Sequence, residues 1–248
     1  LTKSGAGRIT FAGANTFTGD IDVLAGDLFF SHTNGLPAGY AGTVTLTNSA
    51  DAAIGYAVAG GPALLLARTD TASKGALALF PANAADAVDF SSFPDLRLAF
   101  VGALTYTGTF TPYQGDYTFE TEGGTVVYDA VIADAGATPG HLTVIGANGS
   151  GMTLAGNNTF TGGAEIDGAT VTLAHANALG VQGTPGVPDI ELVNGAVLRL
   201  TAAMDVNALV TGRILQRAMD SGLITGVALS LTYFLLINLL LNVAGGST

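Results

Sequence analysis

Phe11-Ala-Gly-Ala-Asn-Thr-Phe-Thr-Gly19 and Leu154-Ala-Gly-Asn-Asn-Thr-Phe-Thr-Gly162 are nearly the same text, one near the start of the chain and one far along it. The correspondence continues at the same offset, with His32-Thr-Asn34-Gly-Leu36 answering His175-Ala-Asn177-Ala-Leu179. A unit that recurs at constant register, in a chain without Cys and with 11% charged residues, marks a stacked repeat architecture. Disorder is excluded by the 48% apolar content, which allows substantial burial.

The runs between the Gly and Asn punctuation read as strands. In the first repeat region, 1–46, these are Arg8–Phe11, Ile21–Leu24, Leu28–Phe30 and Thr43–Leu46, the last alternating as a half-buried strand does. The middle region, 48–140, holds two apolar runs, Ala63–Ala67 and Gly75–Leu79, that suit buried strands or short helices. It also holds the Thr- and aromatic-rich runs Thr105–Pro112, Asp116–Phe119 and Gly124–Tyr128. The second repeat region, 142–200, ends in Ile190–Leu200, where Asn194-Gly195 signals a tight turn. Each Asn-Thr-Phe-Thr-Gly unit predicts an inward Phe17 or Phe160. It also predicts an Asn bonded within its own turn and a positive φ at Gly19 and Gly162.

After Asp205 the pattern changes. Apolar residues at 206, 209, 210, 214, 215 and 218 follow helix spacing, so 206–222 reads as an amphipathic lead-in helix. Residues 223–244 then run without a charge, long enough at about 33 Å to cross a bilayer core of about 30 Å. Gly222, Gly226 and Ser230 recur every four residues as a small-residue face for a partner helix, and Asn238 is expected to meet protein rather than lipid. Arg213 and Arg217 flank this span on its N-terminal side, against the topology of an exported body unless an export signal overrides them. Leu1 in place of Met reads as a processed form or a fragment.

The motif residues resemble a known family. Ser4-Gly-Ala-Gly7, Gly13–Gly19 and Ala25-Gly26, and again Gly149-Ser-Gly151, Gly156–Gly162 and Asn177–Gly180, resemble the passenger-associated transport repeat. This is the autotransporter-associated β-strand repeat of autotransporter passengers and large bacterial surface proteins. The middle pieces Leu66–Asp70, Asp89-Phe90, Tyr106–Pro112 and Gly123–Thr125 resemble spacers of such proteins, so the likeness spans about the first 200 residues. It implies an extracytoplasmic right-handed parallel β-helix, and these repeats serve mostly as spacers and stalks. The residues after Leu200 hold one hydrophobic stretch instead of the many alternating segments of an outer-membrane barrel.

The candidate chemistry is thin. Asp20 with Asp22, and Glu165 with Asp167, are alternating carboxylates that suit Ca²⁺ or glycoside hydrolysis, yet no calcium-loop spacing accompanies them. His32 and His175 are equivalent positions and read as shared turn geometry, while His141 stands alone. No nucleophile elbow or phosphate loop is present, and Gly146–Gly151 lacks the Lys of one. Six cations spread over the first 205 residues form no basic stripe for nucleic acid, and the net charge of −11 keeps the chain soluble.

The expectation is therefore an all-β chain, a right-handed parallel β-helix over 1–205 followed by a C-terminal transmembrane α-helix. It is expected to be no enzyme, with no catalytic, cofactor or metal residues. Its role is that of a membrane-anchored structural or docking subunit, held in a complex of integral membrane proteins, with its bulk in the periplasm or at the cell surface. A surface adhesin or stalk fragment, and a polysaccharide-active enzyme, are the other readings.

Overall fold

Runs of three to seven β-formers, each closed by Gly, Asn or Asp, are too short for hairpin sheets of any width. They suit a chain that coils and pairs each run with the one a coil later. The computed structural model describes residues 1–47, 52–146, 150–180 and 190–201, all within one compact unit, Leu1–Asp205. They form an all-β parallel solenoid of about eight turns. Its spine is a nine-stranded sheet running from Ile9–Phe11 at one edge through Asp27–Phe30, Ala53–Tyr56, Gly75–Leu79 and Leu96–Val101. It continues through Asp116–Glu122, His141–Gly146 and Ala164–Asp167 to Ile190–Val193, and every neighbouring pair is parallel.

The pairing is in register, so like positions stack. Leu28, Ile54, Leu77, Leu98, Phe119, Val144 and Ile166 are successive partners and all are buried. At the sheet's two edges the column opens: Ile9 is 45% exposed and Leu192 is half-buried. Coil length is uneven, since Ile9 pairs with Leu28 across the shortest coil and Leu28 with Ile54 across one of the longest. Aromatic rings pack in the interior, with Phe119 4.8 Å from Tyr128, and Tyr128 stacked 5.7 Å from Tyr106. The Tyr106 hydroxyl donates to Asp86 O and Thr109 O at 2.9 and 3.1 Å, and burial pushes its pKa well up. At the first coil Lys3 points inward and is buried; its ammonium is satisfied by the carbonyls of Gly5 and Ala25.

Two other faces complete the prism. A three-stranded sheet (Thr2–Lys3, Ile21–Val23, Val44–Leu46) lies on the face the chain crosses just before the long sheet. A five-stranded sheet (Leu104–Tyr106, Thr125–Tyr128, Gly151–Leu154, Thr170–Leu173, Val197–Leu200) lies on the face crossed just after it. Between them in sequence, 57–95, come a helix at Gly61–Leu66, a 3-10 turn at Pro81–Asn83 and the strand Val88–Asp89, paired with Phe110–Thr111. Of the two ambiguous apolar runs, 63–67 is therefore mostly helix, started by Pro62 after Gly60 at φ 76°, and 75–79 is a strand buried at all five positions.

The two sequence repeats do not sit on the same faces. Ile9–Phe11 belongs to the long sheet, whereas its counterpart Met152–Leu154 belongs to the five-stranded sheet. Ile21–Val23 is in the three-stranded sheet, and its counterpart Ala164–Ile166 is in the long one. Between Ile9 and Met152 the chain completes six coils, reaching Val144 in the long sheet, and then crosses to one further face. The second repeat is thus rotated one face around the axis relative to the first. Asn194 and Gly195, at φ 52° and 77°, make the expected tight turn. It joins two faces of the prism rather than two strands of one hairpin.

Three local expectations need correction. Gly19 and Gly162 are not at positive φ; the neighbouring Gly163 is, at 84°. Gly162 is required for a different reason, since a Cβ there would lie 2.5 Å from Gly140 O of the preceding coil. Nor do Asn15 and Asn158 bond within their own turns; both reach across to other coils. No helix among the described residues is long and apolar enough to cross a membrane, and the segments 206–222 and 223–244 lie outside the described residues.

Candidate functional site

Alternation along the long sheet sends one set of side chains outward, and in its first half that set is small or apolar. Phe29, Ala76, Ala78 and Ala99 form a buried cluster on the solvent side of the sheet, with Ala53, Phe80 and Val101 packed against it. Phe29 meets Phe80 edge-on at 4.9 Å, two strands away. Gly55 lies between them, where a Cβ would come within 2.7 Å of the Phe80 ring. The floor of this face is therefore apolar and already covered by its own rings.

Charged groups close over it. Arg8 Nε donates to Asp27 Oδ2 at 2.9 Å, its guanidinium lies 4.7 Å over the Phe29 ring, and its other end pairs with Glu122. Arg97 Nε pairs with Glu120 Oε2 at 3.2 Å. Burial pushes the Glu120 carboxyl up, and the Arg97 guanidinium pulls against that shift. In a flat sheet Arg8 and Glu122 would stand roughly 27 Å apart, five strand steps across and four residues along. Two side chains cannot cover that span, so the sheet is curled and twisted toward its solvent face along this diagonal. The chemistry the face offers is ion pairing and apolar contact.

The carboxylate pairs singled out by sequence are otherwise engaged. Asp20 Oδ1 accepts the Thr43 N–H at 2.8 Å, and Asp167 Oδ1 accepts the Asn194 amide at 2.6 Å. Glu165 and Asp167 do lie on one strand, with Glu165 in register beside Glu191. Among the described residues no group of three or more His, Asp or Glu side chains is placed to hold a metal ion. His32 Nδ1 accepts the Asn34 N–H at 3.0 Å, and His175 Nδ1 accepts the Asn177 N–H at 3.0 Å, so the two share one turn geometry. His141 lies 4.0 Å from Asp116. Gly222, Gly226, Ser230 and Asn238 lie outside the described residues.

The repeat corners carry the most specific geometry. Asn158 Oδ1 accepts the Ile132 N–H of the preceding coil at 2.9 Å, and its amide donates to Ala178 O of the next. Asn15 makes one such link, donating to Gly35 O at 2.7 Å. The family model of the passenger-associated-transport-repeat matches the chain over residues 1–28 and again over 147–173. These two stretches are similar to that repeat. Each supplies the Asn corner, the aromatic and the two flanking strands of one coil. No curated protein and no solved structure matches the chain.

Sequence reasoning missed Arg8, Phe29, Phe80 and Glu122. One signal was present, because Leu28-Phe29-Phe30 and Gly75–Leu79 are continuously apolar and so belong to strands covered on both sides.

Proposed function

We propose that the chain is a structural and docking element outside the cytoplasm, a passenger-type solenoid that performs no catalysis. The observation that carries this reading is the nine-stranded in-register ladder bearing passenger-associated transport repeats near both ends. Such a stack gains length coil by coil, each resting on its neighbours, and gives a stiff spacer with long side faces for contact. The finer part of the proposal rests on sequence. Residues 223–244 tether the solenoid to a membrane, and Gly222, Gly226, Ser230 and Asn238 face partner helices there.

Carbonate extraction of membranes, paired with protease treatment of intact cells, tests both parts. A chain cleaved from outside yet retained in the extracted membrane supports the tethered docking role. Cleavage from outside with release by carbonate supports a free stalk or adhesin and removes the tether. Protection from external protease, with cleavage after lysis, overturns the extracytoplasmic reading.

A further inference from the structure

On the open side of the curled sheet an ionic cluster lies over the apolar floor. Arg8 holds Asp27 on the next strand and Glu122 five strands away, while lying on the Phe29 ring. Both carboxylates and the guanidinium remain partly exposed, with side-chain exposures of 41% for Arg8, 20% for Asp27 and 44% for Glu122. Beneath this cluster Phe29 and Phe80 pack on small side chains, Ala53, Ala76, Ala78 and Ala99, with Gly55 between the two rings. Backbone hydrogen bonds of a parallel ladder survive a change of curl, since each joins only neighbouring strands.

We propose that Arg8, Asp27 and Glu122 form a salt-released latch that holds the solenoid curled and so sets the separation of its first and later coils. Exposed ion pairs are screened once the Debye length falls below their surroundings' scale, about 10 Å at 0.1 M and about 3 Å at 1 M. With the latch open, the curl relaxes toward the roughly 24 Å that five strand steps impose, and the Phe29 ring gains access to water. Arg97 pairs with Glu120 on the neighbouring strand.

The absence of Cys permits a direct test in the full chain. Spin labels at Thr10→Cys and Thr125→Cys, both exposed positions on opposite sides of the latch, report the separation by pulsed electron resonance. Between about 0.05 M and about 1 M salt the distance is expected to lengthen by several ångströms. In Arg8→Gln, and separately in Glu122→Gln, it is expected to be long already and insensitive to salt, with an unchanged circular dichroism spectrum. Lys74→Gln, which removes an exposed pair with Asp95 just before two neighbouring strands, is expected to leave the salt response intact. A distance that stays fixed from low to high salt overturns the latch, and this arm needs no substitution at the latch itself. So does a distance in either substituted chain equal to that of the parent.

Discussion

The two stretches that match the passenger-associated-transport-repeat model share their text but not their surroundings, and the difference shows where the energy of the motif resides. Phe160 is fully buried, whereas Phe17 is half-buried and meets Phe30 and Tyr40 from one side. Asn158 ties three coils together, and Asn15 ties two. Gly162 rests against the carbonyl of Gly140, and Gly19 has nothing within 4 Å. The histidine turn and the Asn amide's bond to the next coil, at Gly35 O and Ala178 O, are the same in both. The motif is therefore a corner piece whose stability comes from the coils stacked on either side. Its second copy lies inside the stack and its first lies at the edge of it.

Substitutions made in pairs break or sharpen this contrast, read from urea melting. Phe160→Ala is expected to cost about 3–5 kcal/mol through transfer and cavity, and Phe17→Ala about 1–2 kcal/mol. Asn158→Ala leaves the Ile132 N–H and the Ala178 carbonyl buried without this partner. It is expected to cost about 3 kcal/mol, against about 1 kcal/mol for Asn15→Ala. Gly162→Ala forces a methyl toward a carbonyl and is expected to cost about 1–3 kcal/mol, whereas Gly19→Ala is expected to stay within about 0.5 kcal/mol. Equal losses at either member of any pair would remove the distinction between an inner and an edge copy.

The smallest expected difference is in acid. Asp134 accepts the N–H groups of Gly140 and Thr161 at 2.7 and 2.8 Å and the Thr161 hydroxyl at 2.9 Å, a clip that only the second repeat has among the described residues. Burial alone pushes its carboxyl up, and these three hydrogen bonds outweigh that and hold it below the usual carboxylate range. A depressed folded-state value contributes stability above the unfolded value, and that stability is lost as pH falls through the folded one. Asp134→Asn is therefore expected to flatten the acid limb of the melting profile, whereas Thr18→Ala, at the first-repeat counterpart of Thr161, leaves that limb unchanged.

Much of the ladder was legible in the sequence, because Ile21–Val23 and Val44–Leu46 alternate with period two and Asp27–Phe30 ends in a continuous apolar run. The rotation of the second repeat was not legible. Coils range from the short one between Ile9 and Leu28 to the long one between Ile166 and Leu192, so a constant sequence offset does not say which face it lands on. The Asn and Gly roles were misplaced for one reason: both act on the neighbouring coil, and local turn chemistry sees only its own residues. The curled outer face was hidden likewise, since Arg8 and Glu122 are 114 positions apart. The residues singled out for membrane and partner contact fall in 206–248, outside the described residues.

Asn194-Gly195 is the place where parallel coiling and antiparallel pairing predict opposite neighbours. In the solenoid Glu191 stands beside Glu165, a full coil away, while a hairpin at the same turn would set it against Leu198. Oxidation of the Cys-free chain carrying Glu165→Cys with Glu191→Cys is predicted to give an intramolecular disulfide in high yield, and Glu191→Cys with Leu198→Cys little or none. The reverse result would contradict the parallel solenoid on which the whole account stands.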